Sequence, residues 1–530
     1  MPQISKPSQK LISAFEAWHK SLQPAENAST IHVDEVASKV AAFYEKIRGI
    51  IDWKEEHLLK RRAIERILKR RILLEETGIA EPLVLELIRG GHFPNDRIEE
   101  NKIGMVQKAI DKYVFILNNA PEGKPKVHLY TWLSEIAACE IEEILSSSIR
   151  ERGLINYMFE SLKDKIQVNE KILKVVKMTE KEKNIQTYIA VQRALFNLDS
   201  PVISYHLLKF YYPDWKDISE KKLPEIAKDI HKIEENIEKD LNHPLADKFY
   251  QITEKYDTPF MLLGDALSDD ISIKDKLSNP EELERAVTSA YQKRVKTLKK
   301  RLGRAAAYST ISIFVTNIIS LFAVEIPFNR IFTGYFFNFW AMGVDIFVPT
   351  LLMFFLVATI KPPSKENLPR VIIETMKIFY DKKNAEDVYE IKTFGKKNIV
   401  FSMIINLFYL VGFVVVLTLI VFGLSKVNFP PLSHIIFIIF LSLIAFAGAK
   451  IRTRAKELQV IEEKEGILHF LIDPFAVPVI QLGKWFTLKW KKYNIIAVFF
   501  SALIDMPFSV FVEFIEQWRY FLKEKKEKIH

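Results

Sequence analysis

The sequence predicts an all-α protein: a helical cytosolic domain, then a four-helix transmembrane domain, then an amphipathic helical C-terminal region. Two observations carry that expectation. Four hydrophobic segments crowd into residues 305–450, behind about 300 residues of polar, charge-rich chain. A bilayer core about 30 Å thick asks for ~20 apolar residues of helix; three of the segments reach that length and the fourth comes close. The polar region, for its part, shows helical periodicity and no convincing period-two alternation. A composition of 49 % hydrophobic and 27 % charged residues resembles a soluble protein only because two unlike regions are averaged. At 530 residues the chain has room for two or three domains.

Residues 1–304 read as the cytosolic domain, with a subdivision near 120–127 or 213–219 left open. Val36, Val40, Phe43, Ile47, Ile50 and Ile51 form one apolar stripe, and Leu58, Leu59, Ile64, Ile67 and Leu68 continue it as one long helix or two abutting ones. Loop signals follow at Gly90, Gly91 and Pro94, at "NNAPEGKPK", and around Pro201, Pro213 and Pro244. Amphipathic segments fill about 97–118, 128–150, 180–196, 220–240 and 280–303. The N-terminal stretch lacks an apolar core and a small-residue cleavage site, so neither signal peptide nor anchor is expected. "KRRAIERILKRR" could hold phosphates, but Glu55, Glu56, Glu75 and Glu76 flank it, which favours a solvated helix face.

Spans are expected at about 305–324, 334–360, 398–424 and 434–449, with "EIPFNRIFT" and "SKVNFPPLS" as the short turns of two hairpins. Basic residues cluster at Lys293–Arg304, in the loop from Lys361 to Lys397 and at Lys450–Lys456, whereas the turns offer only Arg330 and Lys426. By the positive-inside rule the protein belongs in a cytoplasmic membrane with both termini cytoplasmic. The net charge of +9 is explained by these flanks, which disfavours nucleic acid as a partner.

Inside the spans, Asp345 is the one charged side chain at depth, with Asn317 and Asn406 as intramembrane polar candidates. At 1.5 Å per residue, Asp345 and Asn317 fall at nearly the same depth on the outer side of the midplane and can meet; Asn406 lies on the inner side of it. A carboxyl there is costly, so it is either a functional group or structural glue bonded to Asn317.

Residues 451–530 are too aromatic and apolar for a disordered tail. Trp485, Lys489, Trp490, Lys491 and Lys492 mix aromatic and basic character as interfacial anchors do. From Asn494 to Leu522, Phe499, Leu503, Val510, Phe514 and Trp518 separate by phase from Ser501, Asp505, Ser509 and Glu513. That suits an in-plane cytoplasmic helix, with a fifth span through 494–512 as the competitor.

No nucleotide loop or catalytic constellation is found, and no metal site or cofactor is expected. The histidines show no pair at metal-ligand spacing, and the single cysteine, Cys139, reads as a buried small hydrophobe. The expected function is that of a non-enzymatic, membrane-tethered scaffold whose cytosolic domain binds protein partners. The alternatives are a small-solute or ion transporter or channel using Asp345, as a homo-oligomer if four helices per chain build a pore, and thirdly a membrane-tethered enzyme on lipid-linked substrates.

Overall fold

The computed structural model describes all residues except 1–3, 23–28, 34–55, 74–77, 123–125, 170–177, 270–278, 335–338, 381–388, 392–398, 461–466 and 493–530. The stripe from Val36 to Ile51 and the amphipathic stretch from Asn494 to Leu522 lie outside the described residues. What is described is overwhelmingly helical, with almost no strand. It divides into two compact units, one formed by Met1–Ser278 with Phe379–Ile391, the other by Asn279–Ile378 with Lys392–Ile495.

The first unit contains α1 (Lys6–Lys20), α2 (Glu56–Leu73), α3 (Ala80–Arg89), α4 (Asn101–Asn119), α5 (Lys126–Leu145), α6 (Ile149–Leu162), β1 (Ile166–Val168), α7 (Glu180–Phe196), α8 (Ser200–Tyr211), α9 (Leu223–Leu241), α10 (Ala246–Lys255) and α11 (Asp257–Asp269). Helical phase explains the packing. On α9, Ile226, Ile230, Ile233 and Ile237 recur every three or four residues and are buried, while the lysines between them stay outside. α7 is set by a capping box, Thr179 with Glu182, and closed by Asn197 in the left-handed conformation. The "KRRAIERILKRR" helix is less solvated than its composition implies. Arg61 is buried against Asp199, and Arg70 and Arg71 both reach Glu86.

Two polar networks cross this core. Lys112 Nζ donates to both oxygens of Glu140 (2.7 and 2.9 Å) and to the Trp215 carbonyl (2.8 Å). Tyr113 Oη donates to Glu140 at 2.6 Å and accepts from Trp215 Nε1 at 2.9 Å. Nearby, Glu143 meets Lys209 (2.7 Å), Arg152 (3.0 Å), Lys216 (3.2 Å) and the Tyr205 hydroxyl (2.7 Å). Burial works against the Glu143 carboxylate, but the cations around it hold it well below the usual carboxylate range.

The first unit also takes in part of the loop between the second and third apolar helices. Ser5 N–H and Ser8 Oγ both donate to the Phe379 carbonyl (3.1 and 3.0 Å), and β2 (Tyr389–Ile391) pairs parallel to β1, Ile166 opposite Tyr389. Three-residue strands lie below the length at which alternation is readable, which is why the sequence gives no hint of them. The chain thus leaves this unit at Ser278 and returns to it at Phe379.

In the second unit, four helices are long and apolar enough to cross a membrane. α12 (Pro280–Ser320) is one 41-residue helix, so the amphipathic segment expected at 280–303 and the first span are continuous. Lys, Arg, Leu and Ala around 298–307 favour helix, and a single Gly303 does not interrupt it. The expected turn "EIPFNRIFT" is also wound. Two π turns, Leu321–Glu325 and Asn329–Thr333, flank the α turn Ile326–Phe328, and Gly334 ends the run at φ +66°. α13 (Phe339–Ala358), α14 (Asn367–Phe379), α15 (Ile399–Lys426), α16 (Pro431–Ala455) and α17 (Ile467–Lys492) follow. α13 packs on α12 and α16, burying Met353 and Val357 beside Ile444. Facing outward are Phe354, Phe355, Leu407, Leu419 and Phe422, the kind of apolar surface that suits lipid.

α17 packs along α16 and α15. Its Gly483 sits so tightly on α16 that a Cβ there would lie 2.0 Å from the Ser442 carbonyl oxygen, so only glycine permits the approach. The direction follows from reach. Were α17 parallel to α16, the connection would have to bridge roughly 44 Å, against at most about 43 Å for twelve fully extended peptide units. Its start is curled instead: Gln459 N–H bonds the Lys456 carbonyl and Val460 N–H bonds Asn367 Oδ1, both at 2.9 Å. α17 therefore runs antiparallel to α16.

Candidate functional site

The second unit holds a polar seam along α12 and its π-wound continuation. Thr310 and Asn317 are two turns apart on one face. In a regular helix Glu325 would sit about 80° round from Asn317, but the wider winding of Leu321–Glu325 takes most of that angle back. From Thr310 to Asn329 the seam runs roughly 28 Å, close to the thickness of a hydrocarbon core.

Asp345 enters this seam from α13, at 3 % exposure; Asn317 is 1 % and Glu325 0 % exposed. Asn317 Nδ2 donates to the backbone carbonyl of Asp345 at 3.4 Å, so the bond runs to the main chain and not to the carboxyl. Ser320 Oγ donates to Glu325 Oε1 at 2.9 Å. Asn329 Nδ2 donates to the Glu325 carbonyl (2.8 Å) and to Ser433 Oγ of α16 (3.3 Å). Among the described residues, Glu325 Oε2 and Asn317 Oδ1 are buried without a close hydrogen-bond partner, the Ser433 hydroxyl lying beside the Glu325 carboxyl.

Burying a carboxyl without a compensating partner is costly.

Of the residues singled out from sequence, Asp345 and Asn317 come together. Asn406 does not join them; it is exposed on α15. Trp485 is 53 % exposed with Lys489 Nζ 5.9 Å from its ring centre, and the side chains of Trp490, Lys491 and Lys492 lie outside the described residues. The antiparallel course of α17 carries Trp485 and Lys489 toward the Pro431 end of α16, away from Arg452 and Arg454. Glu325 and Asn329 escape sequence reasoning because Pro327 makes their neighbourhood read as a turn, and Ser433 because it ends the other expected turn, "SKVNFPPLS". The recoverable signal is the seven-residue step from Thr310 to Asn317, which projects a polar face beyond the span. No family model, curated protein or solved structure matches the chain.

Proposed function

We propose that the chain is a multi-pass membrane protein that binds and passes a proton or small cation along the seam holding Asp345 and Glu325. The observation that carries this reading is a pair of buried carboxyls, Asp345 and Glu325, on one polar seam beside uncommitted oxygens of Asn317 and Glu325. A carboxyl used only as glue would have its bonding capacity filled. α12 and α13 form a hairpin between the two points at which the chain leaves and re-enters the first unit, which supports placing residues 1–278 and the 379–391 segment on one side. The basic flanks make that side the cytosol. Purified protein in liposomes, with an internal pH- or cation-sensitive dye, tests the reading. Flux above empty vesicles should appear and be lost in folded Asp345→Asn and Glu325→Gln variants; absence of flux in the wild type, or wild-type flux in both variants, would refute it.

A membrane-tethered scaffold is the second reading, favoured by the continuous core of the first unit, which spans α2 to α9. Under that reading the full chain should capture a defined protein partner in detergent, and Asp345→Asn should leave the capture unchanged.

A further inference from the structure

On the first unit, three potential metal ligands converge from two helices, with a second histidine, His231, beside one of them. α9 presents His231, Glu234 and Glu238 at steps of three and four residues, which puts all three on one face. α5 brings His128 against them. His128 Nδ1 stands 2.9 Å from Glu234 Oε1 and its Nε2 3.8 Å from Glu238 Oε1; ligand atoms of His128, Glu234 and Glu238 all lie within 4.8 Å of one another. On the other side of Glu234, His231 Nδ1 is 3.8 Å from Oε2.

The second imidazole sharpens this. His231 Nε2 is 3.1 Å from the Pro121 carbonyl, a pure acceptor, so an N–H is on Nε2, and in the neutral imidazole Nδ1 carries a lone pair. That lone pair is buried, makes no hydrogen bond, and faces a carboxylate oxygen. Two acceptors facing each other repel unless a cation sits between them. An imidazole whose far N–H is held by a backbone carbonyl is also the usual support for a metal-bound histidine. Neighbouring ligand atoms on a tetrahedral Zn²⁺ are about 3.3–3.5 Å apart, given bonds near 2.0–2.1 Å, so the 3.8 Å between His231 Nδ1 and Glu234 Oε2 is a small side-chain rotation from that spacing.

We propose that His128, His231, Glu234 and Glu238 form a binding site for a divalent transition-metal ion of the Zn²⁺ type, clipping α5 to α9. Two imidazoles with carboxylates suit Zn²⁺ and Co²⁺ better than Mg²⁺ or Ca²⁺, which take oxygen ligands. Glu234 is fully buried at the base, while His128 is half exposed and Glu238 partly exposed at the mouth, so the ion enters from solvent.

The test uses the full-length protein in detergent, stripped with chelator and dialysed. Titration with Co²⁺ should give the visible d–d bands of a low-coordinate site at one equivalent, and Zn²⁺ should displace them. Zn²⁺ should also raise the melting temperature of the wild type. His128→Ala removes an exposed side chain and should melt like the metal-free wild type, yet bind at least tenfold more weakly; His231→Gln should do the same. No d–d spectrum and no Zn²⁺-dependent melting shift in the wild type would overturn the site, as would unchanged affinity in both variants.

Discussion

Buried carboxyls are handled in opposite ways by the Glu140 and Glu143 networks of the first unit and by the seam of the second. In the first, Glu140 is saturated by Lys112 and Tyr113, and Glu143 by Lys209, Arg152, Lys216 and Tyr205. In the second, Asp345 lies by the Asn317 amide and Glu325 by the Ser320 hydroxyl, and oxygen atoms of Asn317 and Glu325 stay uncommitted. A saturated carboxylate is fixed in one ionisation state and contributes to a unique packing. An unsaturated pair has a state left to choose. The difference separates structural polarity from the polarity that the proposed ion-handling role requires.

The largest effect should come from breaking a saturated network. Glu140→Ala leaves Lys112 buried without its carboxylate, and such losses cost about 3–5 kcal/mol. Chemical unfolding of the detergent-solubilised protein should show the first unit losing stability on that scale. A loss below about 1 kcal/mol would mean that the Glu140 network is no more committed than the seam.

Packing in the second unit offers the next test. Gly483→Ala places a methyl on the Ser442 carbonyl, backbone against backbone, so α16 and α17 must move apart. Overpacking of this kind costs about 1–3 kcal/mol. A lowered melting temperature with Asp345-dependent flux retained would show that α17 supports the bundle without belonging to the seam; an unchanged melting temperature would contradict the crossing.

A smaller, pH-dependent effect follows from His206 in the first unit. Burial, with Lys209 nearby, pushes this imidazole down to about 3, and its Nδ1 is 2.6 Å from Gln192 Oε1. A folded-state pKa below the unfolded value means that the unfolded chain takes up the extra proton. Stability is therefore complete above about 6.5 and is lost as pH falls through the window toward 3, by at most roughly 1.4 kcal/mol per pH unit. The depressed Glu143 adds to the loss in the lower part of that window. Urea midpoints measured from pH 7 to 5 should slope downward in the wild type and flatten in His206→Gln; equal slopes would show that His206 is not the group responsible.

How much of this is legible in the sequence differs between the units for physical reasons. Span length and the isolation of Asp345 are one-dimensional properties, and Asn317 is reachable because rise per residue converts number into depth. Glu325 is not reachable that way: Pro327 argues for a turn, and the π winding that keeps Glu325 on the seam depends on packing against α13 and α16. His128 and His231 stand 103 positions apart, so their approach depends on how α5 and α9 pack. The His231, Glu234, Glu238 spacing was readable, but it becomes a site only when a partner helix brings another imidazole.

The central claim is that the seam carboxyls exchange ions with water while the saturated ones do not. Infrared spectroscopy of the reconstituted protein tests it directly, through the C=O stretch of protonated carboxyls. The account predicts a band that exchanges in D2O within seconds, responds to bulk pH or to added cation, and is altered by Asp345→Asn or Glu325→Gln. A band assigned to these residues that neither exchanges nor responds at any pH where the protein stays folded would contradict it.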